Sequence, residues 1–206
     1  MTAAAPIRIL LAEDQSMVRE ALAALLGLEP DIEVLAQVAR GDQVVEAARA
    51  HDVNVALLDI EMPGLTGIEA AAALRSALPA IRIVILTTFG RPGYLRGAME
   101  AGASAFLVKD APAAQLAAAV RKVLAGERVI DPTLAAAALA EGANPLTERE
   151  REVLRAAESG ATNAELAERL HLSPGTVRNY LSTAIQKLAA RNRAEAVRAA
   201  RDKGWL

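Results

Sequence analysis

The stretch Val55-Ala56-Leu57-Leu58-Asp59-Ile60-Glu61-Met62-Pro63-Gly64 sets the architecture of the chain. Its first four residues form a short apolar run without polar alternation, the pattern of a strand covered on both faces. The run stops at a carboxylate, and the chain then breaks at Pro63-Gly64. Carboxylates are rarely fully buried, so Asp59 belongs at the mouth of a crevice. A second apolar run, Ile7 to Ala12, ends on Glu13-Asp14. Two such strand ends in one parallel sheet bring three carboxylates together.

Outward from this stretch, the first 125 residues alternate between two patterns. Apolar runs at 7–12, 32–36, 53–58, 81–86 and 105–108 read as strands. Helical periodicity lies between them, near 15–28, 40–50, 66–78 and 92–101, with a last helix near 112–125. Five strand–helix units predict a doubly wound, five-stranded parallel sheet with helices on both faces and right-handed crossovers. Ligands of such sheets bind beyond the carboxyl ends of the strands. Glu13, Asp14, Asp59, Thr87 and Lys109 all fall at those ends.

Residues 126–144 read as a linker, partly helical where Asp131-Pro132-Thr133 can cap an alanine-rich run. From Pro145 the pattern is all helical, near 148–159, 163–170, 174–189 and 192–203. Thr147 with Glu150 and Thr162 with Glu165 have capping-box spacing. Ser173-Pro174 is a helix start, with serine as cap and proline at the first helical position. The short gap His171-Leu172 suits a helix-turn-helix. The expected domains are therefore 1–125, a linker over 126–144, and a small all-α domain over 145–206.

The bulk composition narrows the function classes. Of the 206 residues 53% are hydrophobic but only 2% aromatic, so small aliphatic side chains must fill the core. No run approaches the roughly 18 apolar residues of a membrane span, and Met1 to Pro6 lacks the pattern of a secretory signal. Without cysteine there is no disulfide framework and no thiolate metal site. A cytoplasmic protein without membrane insertion is expected. Residues 1–125 are net acidic and residues 145–206 net basic, which hints at two jobs.

Carboxylates gathered at one crevice repel unless a cation intervenes, and oxygen-only ligands favour Mg²⁺. Lys109 can bind an anion beside that ion, and Thr87 adds a hydroxyl. Such a set suits a phosphoryl group, with Asp59 attacking phosphorus in line. On the helix 174–189, Val177, Leu181, Ala184, Ile185 and Leu188 form one apolar stripe. Arg178, Asn179, Ser182 and Gln186 lie off it. Arginine pairs with guanine, asparagine with adenine, and serine with either. Lys187, Arg191 and Arg193, with the helix N-terminus at Ser173–Thr176, would reach phosphates of double-stranded DNA.

Glu13-Asp14, Asp59 in Leu-Asp-Ile-Glu-Met-Pro-Gly, Thr87 and Lys109 resemble the receiver domain of bacterial response regulators, a flavodoxin-like fold. The resemblance implies that Asp59 is phosphorylated by a sensor histidine kinase. It also implies that Asp14, Asp59 and the backbone carbonyl of Glu61 hold Mg²⁺, with Glu13 acting through water. Thr87 and Phe106 match the switch pair, and Lys109 would bind a phosphate oxygen. Phe106 lacks the hydroxyl of a tyrosine, and Asp110 stands where many receivers have proline.

The segments 145–154, 162–167, 175–180 and 187–193 are similar to the LuxR-type helix-turn-helix, with Tyr180 where family members often have histidine. Together the two parts resemble the NarL/FixJ type of response regulator. That implies a phosphorylation-dependent homodimer on promoter DNA, acting with RNA polymerase. A narrower likeness, carried by residues 60–64, 87–94, 143–147 and the ending Lys203-Gly204-Trp205, is to a regulator of a membrane-lipid desaturase gene. Two alternatives remain open at this stage. One is a Mg²⁺-dependent phosphatase or phosphotransferase, with Glu61 at the spacing of a second acid. The other is a regulator whose receiver works without phosphorylation.

Overall fold

The structure is a computed structural model that describes residues 5–88, 92–140 and 144–206. The motif residues Phe89, Gly90 and Arg91 and the linker residues 141–143 lie outside that set. Of the described residues, 5–88 and 95–135 form one compact unit, and 92–94 with 136–140 and 144–206 form a second.

The first unit is built on strands β1 (Ile7–Ala12), β2 (Ile32–Val38), β3 (Val55–Asp59), β4 (Arg82–Thr87), β5 (Ala105–Val108) and β6 (Val129–Ile130). They form one parallel sheet in the order β2-β1-β3-β4-β5-β6. Helices α1 (Ser16–Leu26), α2 (Val44–Ala50), α3 (Gly67–Ala77), α4 (Pro92–Glu100) and α5 (Ala113–Leu124) connect the strands. Every residue of β3 is buried, as its unbroken apolar run requires. One face of the sheet carries Ile9, Leu11, Val55, Leu57, Val84, Leu86 and Ala105, packed against Leu26 of α1 and Leu116, Val120 and Val123 of α5. The chain order reverses between β1 and β3, which opens a crevice at their carboxyl ends.

The sheet has six strands where the sequence predicts five. Val129 and Ile130 pair with Ala105 and Phe106, inside the stretch read as a linker. A two-residue edge strand is too short to show periodicity, so pattern reading passes over it. Asp131 then caps α6 (Pro132–Ala140): its Oδ1 accepts from the N–H groups of Thr133 at 2.8 Å and Leu134 at 3.2 Å. The helical part of the linker thus forms where its cap predicts.

The second unit contains α7 (Glu148–Ala157), α8 (Asn163–Arg169), α9 (Pro174–Lys187) and α10 (Arg193–Asp202). Both anticipated capping boxes are present, and Ser173 accepts from the N–H of Thr176 at 3.0 Å. Val177, Leu181 and Ala184 are buried against Leu154 and Leu166, with Ile185 and Leu188 packed on the edge of that core. Helix α9 ends at Lys187, two residues short of the expected range 174–189. Ala189 takes a left-handed φ of 51°, and the N–H of Ala190 turns back to the Ile185 carbonyl at 3.0 Å. This is a Schellman-type stop built without glycine.

Glu150 is 4% exposed and links two helices. Its Oε2 accepts from the N–H of Thr147 at 2.7 Å and from Lys187 Nζ at 2.8 Å. Burial pushes its carboxyl up, but the Lys187 and Thr147 hydrogen bonds outweigh this and hold it below the ordinary value of 4.5. A depressed carboxyl contributes stability that is present above its unfolded pKa and is lost as pH falls through the folded one. The thermal midpoint of the helical unit should therefore fall on acidification below pH 4.5. Glu150→Gln should flatten that fall; an equally steep loss in the variant would assign the acid sensitivity elsewhere.

Candidate functional site

Asp59 is the last residue of β3, and Glu13-Asp14 follow β1 directly. Lys109 follows β5, and its N–H donates to the carbonyl of Thr87, the last residue of β4, at 2.8 Å. Four strand ends thus converge on one crevice. Glu13 is fully buried, Asp59 is 5% and Thr87 4% exposed, while Asp14 and Glu61 are exposed. Carboxylate oxygens of Glu13, Asp14 and Asp59 lie within 4.8 Å of one another.

Lys109 holds this set together. Its Nζ is 2.5 Å from Glu13 Oε2 and 2.9 Å from Asp59 Oδ1, and its side chain is only 8% exposed. Burial pushes the Glu13 carboxyl up; the Lys109 hydrogen bond opposes this, and the charge of Asp59 reinforces it. Asp59 is likewise raised by burial, with Lys109 opposing and Asp14 adding to the rise. For Lys109, burial favours the neutral form, but its two carboxylate partners win and raise its pKa. Among the described residues, the Lys109 ammonium stands beside the three carboxylates of Glu13, Asp14 and Asp59, so these side chains together carry an excess of negative charge. Clustered hard oxygen donors with such an excess fit a divalent cation of the Mg²⁺ kind.

Thr87 and Phe106 share one face of the sheet. Phe106 pairs with Ile85, and Thr87 lies two residues beyond Ile85 on the same side. Phe106 is fully buried. Residues two apart on facing strands are diagonal neighbours, within reach of an aromatic ring.

On α9 the buried positions Val177, Leu181 and Ala184 leave Arg178, Asn179, Ser182, Thr183 and Gln186 exposed. Thr183 was not singled out in sequence; its hydroxyl donates to the Asn179 carbonyl at 3.0 Å. Ser173 and Thr176 join their hydroxyls at 2.8 Å at the helix start. The three cations assigned to phosphates all have partners within the unit. Lys187 meets Glu150, Arg191 meets Glu195, and Arg193 donates to the Ala161 carbonyl.

Residues 9–121 match the family described as "Response regulator receiver domain", and residues 144–200 match "Bacterial regulatory proteins, luxR family". The chain belongs to the LuxR-type response regulators. It is 44% identical to the transcriptional regulatory protein DesR of Bacillus subtilis over 97% of this chain and 99% of that protein. It is 43% identical to the response regulator RamR of Streptomyces coelicolor, covering 97% and 98%. Among solved structures, the response regulator ChrA of a heme-sensing two-component system aligns with a TM-score of 0.60 at 33% identity, covering 98% of this chain and all of that one. A two-component response regulator RcsB–DNA complex shares the fold, with a TM-score of 0.68 at 20% identity over 96% and 98%.

In this response regulator two further residues position the crevice. Arg19 of α1 donates to the Glu13 carbonyl at 2.5 Å, which fixes the turn that carries both acids. Gly67, the first residue of α3, packs against the end of β3: a Cβ there would lie 1.8 Å from the Asp59 carbonyl oxygen. Its N–H donates to the Ile60 carbonyl at 2.9 Å. The only sequence signal for Gly67 is its place behind the helix cap Thr66, which specifies a helix start but not a close approach. Gly67→Ala must displace the backbone of Asp59. It should lower unfolding free energy by the cost of overpacking, about 1–3 kcal/mol. Equilibrium urea unfolding checks this, and an unchanged midpoint would show that the loop yields freely.

Proposed function

We propose that residues 1–125 receive a phosphoryl group on Asp59 from a sensor histidine kinase, and that this raises promoter occupancy by residues 145–206. The observation that carries this reading is Lys109 Nζ bridging Asp59 and Glu13 beside Asp14. Lys109 holds Asp59 in the crevice through Oδ1, and a carboxylate oxygen of Asp59 attacks phosphorus. As that P–O bond forms, the P–N bond to the kinase histidine breaks and the imidazole leaves. Asp14, Asp59 and the Glu61 carbonyl would hold Mg²⁺, with Glu13 reaching it through water. When bound, the ion supplies positive charge opposite the phosphoryl oxygens. Lys109 then exchanges a carboxylate for a phosphoryl oxygen, Thr87 donates its hydroxyl to another, and Phe106 follows Thr87. Asp59 is used once per signal and not as a turning-over nucleophile.

The consequence is read at the surface of α4, β5 and α5, which pairs two receivers. Pairing raises the effective concentration of two DNA-binding domains on adjacent half-sites. Arg178, Asn179 and Ser182 read base edges. Ser173, Thr176, Lys187, Arg191 and Arg193 lie along phosphates, and bound regulator meets RNA polymerase in the cytoplasm. The 44% identity to DesR is equalled by that to YvfU of Bacillus subtilis, and RamR stands at 43%, so identity does not single out a desaturase gene.

Treating the full chain with a small phosphodonor and Mg²⁺ should convert it to a dimer and increase retention of genomic DNA fragments. Asp59→Asn should do neither; the same gain in that variant would overturn the assignment. Separately, Arg178→Ala should cost about 1–3 kcal/mol in specific binding. Competition between selected and random duplexes measures this, and an unchanged preference would move Arg178 to the backbone.

A further inference from the structure

The end of α9 and the loop behind it carry cations whose charge is already drawn upon. Lys187 Nζ donates to Glu150 Oε2 at 2.8 Å, and Glu150 is nearly out of solvent. Pulling Lys187 away would leave a buried carboxylate bare, which is strongly unfavourable. Arg191 meets Glu195 Oε2 through its own backbone N–H at 2.7 Å and through Nε at 3.0 Å. A second nitrogen of its guanidinium reaches Glu195 Oε1 at 3.3 Å. Glu195 is itself fixed, because its N–H donates to the Asn192 cap at 2.9 Å. The Arg191 hydrogen bonds hold its carboxyl below the ordinary value.

A cation paired at hydrogen-bond distance presents a dipole to more distant charges. The adjacent carboxylate therefore offsets part of the cation's attraction for a phosphate that approaches it. Sequence-blind attraction to DNA depends on how many phosphates are neutralised, with a salt slope of about −0.9 per contact.

We propose that Glu150 and Glu195 set the strength of non-specific DNA binding, holding it low by drawing on the charge of Lys187 and Arg191. Base contacts from Arg178, Asn179 and Ser182 then weigh more in the total, which widens the ratio of specific to non-specific binding. A single domain with weak phosphate attraction depends on a paired partner for occupancy. The proposal rests on the reading of Lys187 and Arg191 as phosphate-facing.

The test uses the unphosphorylated full chain and a random-sequence duplex over a series of salt concentrations. Glu195→Gln keeps an acceptor for the Arg191 N–H groups and removes the charge. It should bind more tightly at low salt, with the slope of log K against log salt steeper by about 0.9. Between about 50 and 200 mM salt that adds a three- to fourfold loss of affinity relative to the parent chain. Glu150→Gln, checked for folding by its thermal melt, should do the same; if it does not fold, Glu195→Gln decides alone. Arg191→Ala separates the two ideas. If it leaves binding and slope unchanged, the phosphate-facing reading of Arg191 fails, and the proposal with it. If it weakens binding while the folded glutamine variants keep the parent slope, the reading stands and the attenuating role is overturned.

Discussion

An ammonium group held between two carboxylates organises the first unit. Lys109 reaches Glu13 and Asp59 from a third strand, so its charge joins the carboxyl ends of β1, β3 and β5. Without it, two nearly buried carboxylates would face each other, and removing one partner of a buried ion pair typically costs about 3–5 kcal/mol. The same ammonium suits a phosphoryl oxygen. A group that stabilises the resting crevice is therefore the one that would reorganise when a phosphoryl group arrives.

The fold delivers that geometry through backbone constraints more than through the acidic residues themselves. The carbonyl of Asp59 is pressed by Gly67, and the loop between them is tied where the Gly41 N–H donates to the Pro63 carbonyl at 3.1 Å. Gly64 closes the loop with a left-handed φ of 83°, in a place where a Cβ would strike the Asp42 side chain. These contacts fix the direction of Asp59 before any ligand binds, which is the kind of preorganisation a reacting group requires.

Much of this was legible in the sequence, and the exceptions have physical reasons. An unbroken apolar run ending in a charge predicts a buried strand with an edge carboxylate, and β3 is such a strand. The boxes at Thr147 and Thr162 and the cap at Ser173 were readable because capping depends on local spacing. Strand β6 was not, since two residues carry no period. The end of α9 was missed because Ala189 adopts a conformation that alanine does not advertise. Lys187 reads as a surface cation, yet its partner Glu150 lies 37 positions away in sequence. Arg19 and Gly67 escaped although their partners lie near in sequence, because neither residue type nor spacing specifies a loop contact of this kind. Trp205 reads as a family-like ending, whereas in the fold it packs into the helical core and its carbonyl accepts from Asn144 Nδ2 at 3.2 Å.

The most direct measurement of the central claim is the location of the phosphoryl group. The full chain is incubated with a small phosphodonor and Mg²⁺, its intact mass is recorded, and its peptides are mapped. The account predicts one added phosphoryl group per chain, on the peptide that carries Asp59, and none when Mg²⁺ is chelated. A label on any other residue, or uptake independent of the ion, would contradict it.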